Sequence, residues 1–312
     1  MNQKYKITIL ISILILIILA LLVGPSGFPS AEIFFNIRLP RVLAGLIIGG
    51  ALASSGSIMQ GVLRNPLAEP YILGASSGAL LGMIVSISLG IPYASVFYYL
   101  IIFLFSFFAT ILAYFISRGT GTTNIINLIL AGVIVNIFVG AIILIFFFLS
   151  AKENFSVISF MMGQVSEKTF PVIITCAIIF ILGFVPGLIL SKQTDILMLG
   201  DKKATELGVN TEKVRIIMLL SSALMTSASV VLGGLIGFVG LIIPHIVRMF
   251  VGPLQRNVLV GSLFSGAVFL VLVDAFSRTI LSTREIPVGI ITALIGAPFF
   301  VWVLTRKRDY YL

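Results

Sequence analysis

The sequence is built from long, nearly uncharged apolar segments that recur from its beginning to its end. A membrane-spanning helix needs roughly 20 mostly apolar residues, and these segments are long enough. Of the 312 residues, 59% are hydrophobic and only 10% are charged, whereas a soluble domain carries roughly a quarter charged residues. The chain is therefore predicted to be an all-α integral membrane protein in a lipid bilayer, with residues 1–312 forming one transmembrane domain.

About ten membrane helices are predicted from these segments. The first, Ile7–Val23, resembles a signal peptide, but its length and the lack of an A-x-A-like cleavage site before Gly24-Pro25 favour an uncleaved helix. The segment 235–250 is short and contains Pro244, so a half-helix or a bent segment stays open there. The spans after the first are predicted at 41–60, 70–90, 96–117, 124–149, 170–190, 214–233, 235–250, 257–278 and 288–305.

Lysine and arginine are distributed unevenly between the predicted connections. With ten spans and a cytoplasmic N-terminus, 14 of the 20 basic residues fall on the cytoplasmic side, as the positive-inside rule requires. Merging 214–250 into one span would move Arg306–Arg308 outside and weaken this bias. The pattern predicts that both termini are cytoplasmic, and it explains the net charge of +9 without a nucleic-acid partner.

The longest polar connection, about 191–213, runs from Ser191 to Lys213 and is predicted to be cytoplasmic. Within it, Asp201–Leu207 is predicted to form a short surface helix that ends at Gly208, since glycine commonly follows the last residue of a helix. Asn210 is a candidate N-cap for the next helix. This helix–glycine–helix element is either an ordinary solvated loop or a docking site for another protein.

Charges that could carry out chemistry are scarce. Asp274 is the one acidic residue clearly inside a predicted span, and Arg278, one turn away on the same face, is a candidate ion-pair partner. The chain has one cysteine, Cys176, and one histidine, His245, and these two residues cannot form a zinc or iron site. The sequence contains neither HExxH nor GxxxxGK[ST]. No catalytic residue, metal or cofactor is therefore predicted, and any ATP hydrolysis must take place on another chain.

Small residues recur at a spacing of four in several predicted spans. Because glycine, alanine and serine let helix backbones approach closely in lipid, this spacing predicts a tightly packed helix bundle. The spaced residues are Gly45, Gly49, Ala53 and Ser57, then Gly74, Gly78 and Gly82, and finally Gly233 and Gly237.

Five runs, in order and spread over the chain, resemble the FecCD family of permeases. They are RLPRVLAG at 38–45, QGVLRNPLAEPYILG at 60–74, GFVGLIIPHIVR at 237–248, EIPVG at 285–289 and GAPFF at 296–300. The family comprises membrane subunits of importers for iron–siderophore complexes, haem and vitamin B12. The resemblance implies a vitamin-B12-permease-like fold in a prokaryotic cytoplasmic membrane, with about ten helices per subunit.

The resemblance also implies partners. It implies a second permease subunit, as a homodimer or with a paralogue, two ATP-binding cassette ATPase subunits in the cytoplasm, and an extracytoplasmic substrate-binding protein. The family's arginines at the positions of Arg38, Arg41 and Arg278 meet acidic residues on that binding protein, whereas Arg284 is not clearly placed by any motif. The family's ATPase-coupling segment is similar to Lys202, Lys203, Ala204, Thr205, Glu206, Leu207 and Gly208, although Lys202 stands where its motif has Glu.

The predicted function is that of a membrane-spanning permease subunit of an ATP-binding cassette importer. It would translocate a metal chelate (an iron(III)-siderophore or haem, or else cobalamin) by alternating access. The alternative is a secondary transporter or channel that acts without an ATPase partner. A secondary transporter coupled to protons or sodium would be expected to carry more acidic residues within its spans.

Overall fold

The structure is a computed structural model that describes residues 18, 20–22, 29–93, 95–119, 125–149, 154–166, 168–280 and 285–306. The parts of the chain that it describes are helices and their connections, without a strand. The helices are α1 (Leu39–Val62), α2 (Ala75–Ser88), α3 (Val96–Ser117), α4 (Ile125–Leu149), α5 (Asn154–Met162), α6 (Phe170–Ile189), α7 (Ser191–Met198), α8 (Asp201–Glu206), α9 (Thr211–Gly233), α10 (Val239–Val251), α11 (Gln255–Thr279) and α12 (Val288–Arg306).

The predicted all-α membrane fold is confirmed. Six helices are long and apolar enough to cross a membrane: α1 with its N-terminal extension, α3, α4, α6, α9 and α11. The shorter apolar helices α2, α10 and α12 account for three more of the predicted spans. The predicted first span, Ile7–Val23, lies outside the described residues apart from 18 and 20–22.

Three boundaries differ from the predictions for local reasons. A short helix, Ala31–Ile33, and a π-helical turn, Phe34–Arg38, continue directly into α1, so the helical segment begins ten residues earlier than position 41. The predicted span 70–90 starts with a 3-10 turn, and α2 begins only after Gly74, whose φ of 92° is left-handed. Helices α5 and α7 were not predicted, because both are shorter than a membrane span.

Helix α1 lies at the centre of the bundle, with 20 of its 24 residues buried. It packs against α9, α10 and α11. A Cβ built on Gly49 would overlap the carbonyl oxygen of Gly266 in α11, and one built on Gly56 would lie 2.6 Å from the Cα of Gly240 in α10. The four-residue spacing that includes Gly49 therefore does mark a close backbone contact, as predicted.

Helix α10 is a half-length helix, which is one of the two forms left open by the sequence. Its 13 residues span about 20 Å, and it begins beside the second half of α1, where Gly240 contacts Gly56 and Gln60 Nε2 donates to the Leu241 carbonyl over 3.1 Å. The connection from α9 bends at Gly234 (φ 68°) and Phe238 (φ 68°). Such irregular backbone is tolerated at membrane depth only where the protein buries it.

Neighbouring segments satisfy the backbone groups of this α9–α10 connection. The Gln164 amide donates to the Gly233 carbonyl over 2.9 Å, and the Leu235 amide donates to the Phe160 carbonyl over 3.0 Å. The amide of Phe238 donates to Oε1 of Glu69 over 3.0 Å. The connection is therefore held by α5, by the segment that follows it, and by the turn before α2.

Candidate functional site

The described charged residues concentrate at the two ends of α1. Arg41 lies near its start and Arg64 lies just beyond its end at Val62, about 30 Å away along the helix. The end that contains Arg41 is called here the Arg41 end, and the opposite end is called the Asp201 end. The residues predicted to contact the binding protein lie at the Arg41 end, and the predicted coupling segment lies at the Asp201 end.

At the Asp201 end, the polar connection forms α7 and α8. The predicted helix Asp201–Leu207 is observed as Asp201–Glu206, and Gly208 follows with a left-handed φ of 78°. The Asn210 side chain accepts a hydrogen bond from the Lys213 amide over 2.9 Å, which is the predicted N-cap of α9. Local sequence rules therefore predicted this element to within one residue.

The carboxylate of Asp201 ties α8 to two other helices. It accepts hydrogen bonds from Arg64, just past α1, and from Nη2 of Arg215 in α9 over 3.0 Å. Arg215 is buried, with 2% of its side chain exposed. Burial acts to raise the pKa of Asp201, but the positive charges of Arg215 and Arg64 outweigh it and hold that pKa below its usual range.

Most of the predicted coupling segment faces outward. Ala204 is buried and packs towards the bundle, while Leu207 is exposed over 62% of its surface. Beside it, a cavity of about 530 Å³ extends between α7 and the start of α9. The exposed members of the segment are Lys202, Lys203, Thr205, Glu206, Leu207 and Gly208. This end therefore presents a short helix that projects from the protein yet is anchored through Asp201.

At the Arg41 end, one guanidinium bridges two carboxylates. Arg41 Nη2 lies 2.9 Å from Oδ1 of Asp274 and 2.8 Å from Oε2 of Glu285. Arg278 Nε lies 3.2 Å from Oδ2 of Asp274, so the predicted i,i+4 ion pair is present. Asp274 therefore joins α1 to α11, and Glu285 extends the network to the segment before α12.

The three predicted docking arginines are brought to one end but are not exposed. Arg38, Arg41 and Arg278 expose 3%, 7% and 5% of their surfaces. The span predicted at 41–60 placed Arg38 and Arg41 at the start of the helix. Since the helical segment begins at Ala31, both arginines lie two to three turns inside it. Arg284 lies outside the described residues.

Two acidic residues were missed by the sequence analysis. Glu285 was quoted within a motif without a role, although it is the only carboxylate between Asp274 and the last span. Glu69 lies beside the N-terminus of α10 at membrane depth, where its carboxylate accepts the Phe238 amide and complements the helix dipole. Glu69 is therefore a second acidic residue within the membrane, whereas the sequence analysis had identified only Asp274 there.

The interior of the bundle is joined by hydroxyl groups rather than by charges. Ser55 Oγ lies 2.7 Å from both Ser222 Oγ and Thr226 Oγ1, which links α1 to α9. Ser227 Oγ lies 2.9 Å from Ser106 Oγ, which links α9 to α3. Such hydrogen bonds between helices stabilise a bundle in lipid. Within the described part of the chain, histidine, cysteine and acidic side chains form no cluster of three suited to a metal ion.

Comparison with known proteins identifies the family of the chain. Residues 7–306 match the FecCD transport family. The hemin transport system permease protein HmuU of Yersinia pestis is 36% identical over 283 residues, which is 89% of this chain and 84% of that protein. The vitamin B12 import system permease protein BtuC of Vibrio vulnificus is 35% identical over an alignment of 324 positions, which covers 99% of this chain and 96% of that protein.

A solved structure shows the same fold. It is described as an inward-facing conformation of a metal-chelate type ABC transporter, and it superposes with a TM-score of 0.88 at 31% identity. The match covers 97% of this chain and 99% of that chain. The chain belongs to the FecCD transport family and is a multi-pass membrane permease of the ABC-importer type.

Proposed function

We propose that the chain moves a metal chelate across a prokaryotic cytoplasmic membrane, driven by ATPase subunits that bind at the Asp201 end. The observation that carries this proposal is α8, a short exposed helix fixed to both α1 and α9 through Asp201. A force applied to α8 would reach two buried helices directly. Two ATP-binding cassette subunits and a second permease subunit, identical or paralogous, complete the proposed assembly.

The cargo is proposed to be an iron(III)-siderophore, haem or cobalamin. Relatives named for haemin, vitamin B12 and Fe(3+)-citrate are 36%, 35% and 36% identical to this chain. A relative named for molybdate is 35% identical. Because these identities are nearly equal, overall similarity supports the class of importer but does not choose between cargoes.

The Arg41 end is proposed to face outward and to receive a substrate-binding protein. Among the described residues this end holds three arginines (Arg38, Arg41 and Arg278) and Lys168, against three carboxylates (Glu32, Asp274 and Glu285). The excess positive charge would attract an acidic partner. Because all three guanidiniums are buried, we propose that they influence docking without direct contact. They would do so through their positive charge and, in the case of Arg41, by holding Glu285 in position.

Orientation is tested by labelling single cysteines in intact cells with a membrane-impermeant maleimide. Pro92→Cys, at an exposed turn of the Arg41 end, is expected to be labelled from outside. Lys202→Cys, on exposed α8, is expected to react only after permeabilisation. The native Cys176 is buried, so the unmodified chain serves as the background. Labelling of Lys202→Cys in intact cells would contradict the proposed orientation.

Coupling is tested at Gly208. A Cβ there meets no atom within 4 Å, but a φ of 78° disfavours any residue with a Cβ by roughly 1 kcal/mol or more. Gly208→Val is therefore expected to leave the protein folded and to reduce ATP-driven uptake several-fold. Uptake would be measured in cells that co-express the ATPase and binding protein.

The matched control for Gly208 is Gly90→Val at the Arg41 end. Gly90 has a similar φ of 66° and also has no atom within 4 Å of an added Cβ. This variant should carry the same local strain without affecting uptake. Wild-type uptake by Gly208→Val, at equal amounts of folded permease, would show that this turn does not transmit the motion.

Docking is tested with Arg38→Gln. Arg41 is unsuitable, because its removal would leave Asp274 and Glu285 without their shared partner and cost about 3–5 kcal/mol of stability. Arg38 Nη1 instead donates to the carbonyls of Leu21 and Leu22, over 3.1 and 2.6 Å. Arg38→Gln is expected to weaken binding-protein affinity several-fold at low salt and much less at high salt.

The control for docking is Lys202→Gln, which removes the same charge at the Asp201 end. Its affinity for the binding protein should equal that of the wild type at both salt concentrations. Gel filtration in detergent would check that each variant is folded. Unchanged affinity of Arg38→Gln at low salt would remove Arg38 from the docking interaction.

A further inference from the structure

Two adjoining cavities lie at the Arg41 end, outside the two charged sites described above. The first has a volume of about 390 Å³ and lies between the α2–α3 turn, α5 and the end of α9. Its lining is rich in hydroxyl and amide groups and contains one cation. These hydroxyl, amide and ammonium groups belong to Tyr93, Tyr99, Ser156, Ser159, Gln164 and Lys168.

The second cavity is an apolar groove of about 150 Å³ between α3 and α6. Its floor includes the buried residues Val172 and Cys176. Its rim includes Val96 and Leu100, which expose 64% and 44% of their surfaces on the outer face of α3. The groove therefore opens towards the surrounding bilayer, and its apolar walls are complementary to a hydrocarbon chain.

The cavities share a wall. Tyr99 and Val231 line both of them, and Lys168 Nζ lies 5.1 Å from the centroid of the Tyr99 ring. A cationic, hydroxyl-lined chamber thus adjoins an apolar groove, separated from it by one aromatic side chain. The combined shape suits an amphiphile whose anionic head enters the chamber while its tail lies along the groove.

Lys168 has no carboxylate partner within the described ranges of the chain. Its contact with the face of Tyr99 is a cation–π interaction, which offsets part of the cost of placing an ammonium group in a partly buried site. Burial lowers the pKa of Lys168, because the charged form loses hydration. An anion in the chamber would pair with this ammonium group.

We propose that the two cavities form one binding site for a phospholipid with a net negative headgroup, taken from the leaflet at the Arg41 end. Its phosphate lies beside Lys168, within reach of the surrounding hydroxyl groups, and one acyl chain occupies the groove between α3 and α6. A free phosphate ion would fill only the chamber and leave the groove without an occupant. The lining of the site contains none of the residues proposed for ATPase coupling or for binding-protein docking.

The position of the site gives the lipid a structural consequence. Phe160 of α5 and the glycines Gly233 and Gly234 of the α9–α10 connection line the same chamber. The Phe160 carbonyl already accepts the Leu235 amide there. A bound headgroup would hold α5 against this connection, so occupancy should raise the unfolding temperature of the permease.

The test is native mass spectrometry of the purified chain with added phosphatidylglycerol, together with its unfolding temperature in detergent. Wild type is expected to retain one lipid molecule and to unfold at a higher temperature with it. Lys168→Gln should reduce retention about fivefold, the effect expected of one basic residue near a lipid phosphate. Lys168→Arg should restore it, and Ile179→Trp should reduce it by filling the groove.

Three comparisons decide the outcome. Lys192→Gln removes a lysine that lines the cavity at the opposite end, and it should bind lipid as the wild type does. Diacylglycerol, which lacks the phosphate, should be retained less than phosphatidylglycerol. Inorganic phosphate at equal concentration should not displace the lipid. The proposal is overturned if Lys168→Gln retains phosphatidylglycerol like wild type, if diacylglycerol binds equally well, or if inorganic phosphate displaces the lipid.

Discussion

Close backbone contact around α1 is the constraint on which the rest of the structure depends. Lipid tails are as apolar as leucine side chains, so helices in a membrane gain little from hydrophobic burial and associate by packing and hydrogen bonds. Gly49 meets Gly266 in α11, and Gly56 meets Gly240 in α10, with no room for a Cβ at either contact. The hydroxyl contacts of Ser55 with α9 add hydrogen bonds at the same depth.

The charged networks of this packing lie towards the two ends of α1. Asp201 with Arg64 and Arg215 fixes one end of α1, and Arg41 with Asp274 and Glu285 fixes the other. A helix that is tightly packed along its length and anchored at both ends moves as a unit, because dense interiors do not deform continuously. We therefore regard α1 as the element that connects the Asp201 end, where ATPase subunits are proposed to bind, with the Arg41 end.

The sequence predicted the parts of this account that depend on local rules. Apolar length located nine spans, and the left-handed Gly208 and the Asn210 cap located the boundary between α8 and α9. It could not predict contacts between distant segments, such as Arg41 with Glu285 or Glu69 with Phe238. The predicted start of the second span at position 41 was wrong, because a short helix and a π-helical turn extend the helical segment back to Ala31 and place Arg38 and Arg41 inside it.

The central claim is that backbone contact along α1 holds the bundle together, and one methyl group at Gly56 tests it. Gly140 in α4 is the control, since a Cβ there meets no atom within 4 Å. The measurement is the unfolding temperature of the purified permease in detergent. Gly56→Ala should lower it, at an overpacking cost of about 1–3 kcal/mol, whereas Gly140→Ala should leave it unchanged or raise it. Equal unfolding temperatures for the two variants would contradict the account.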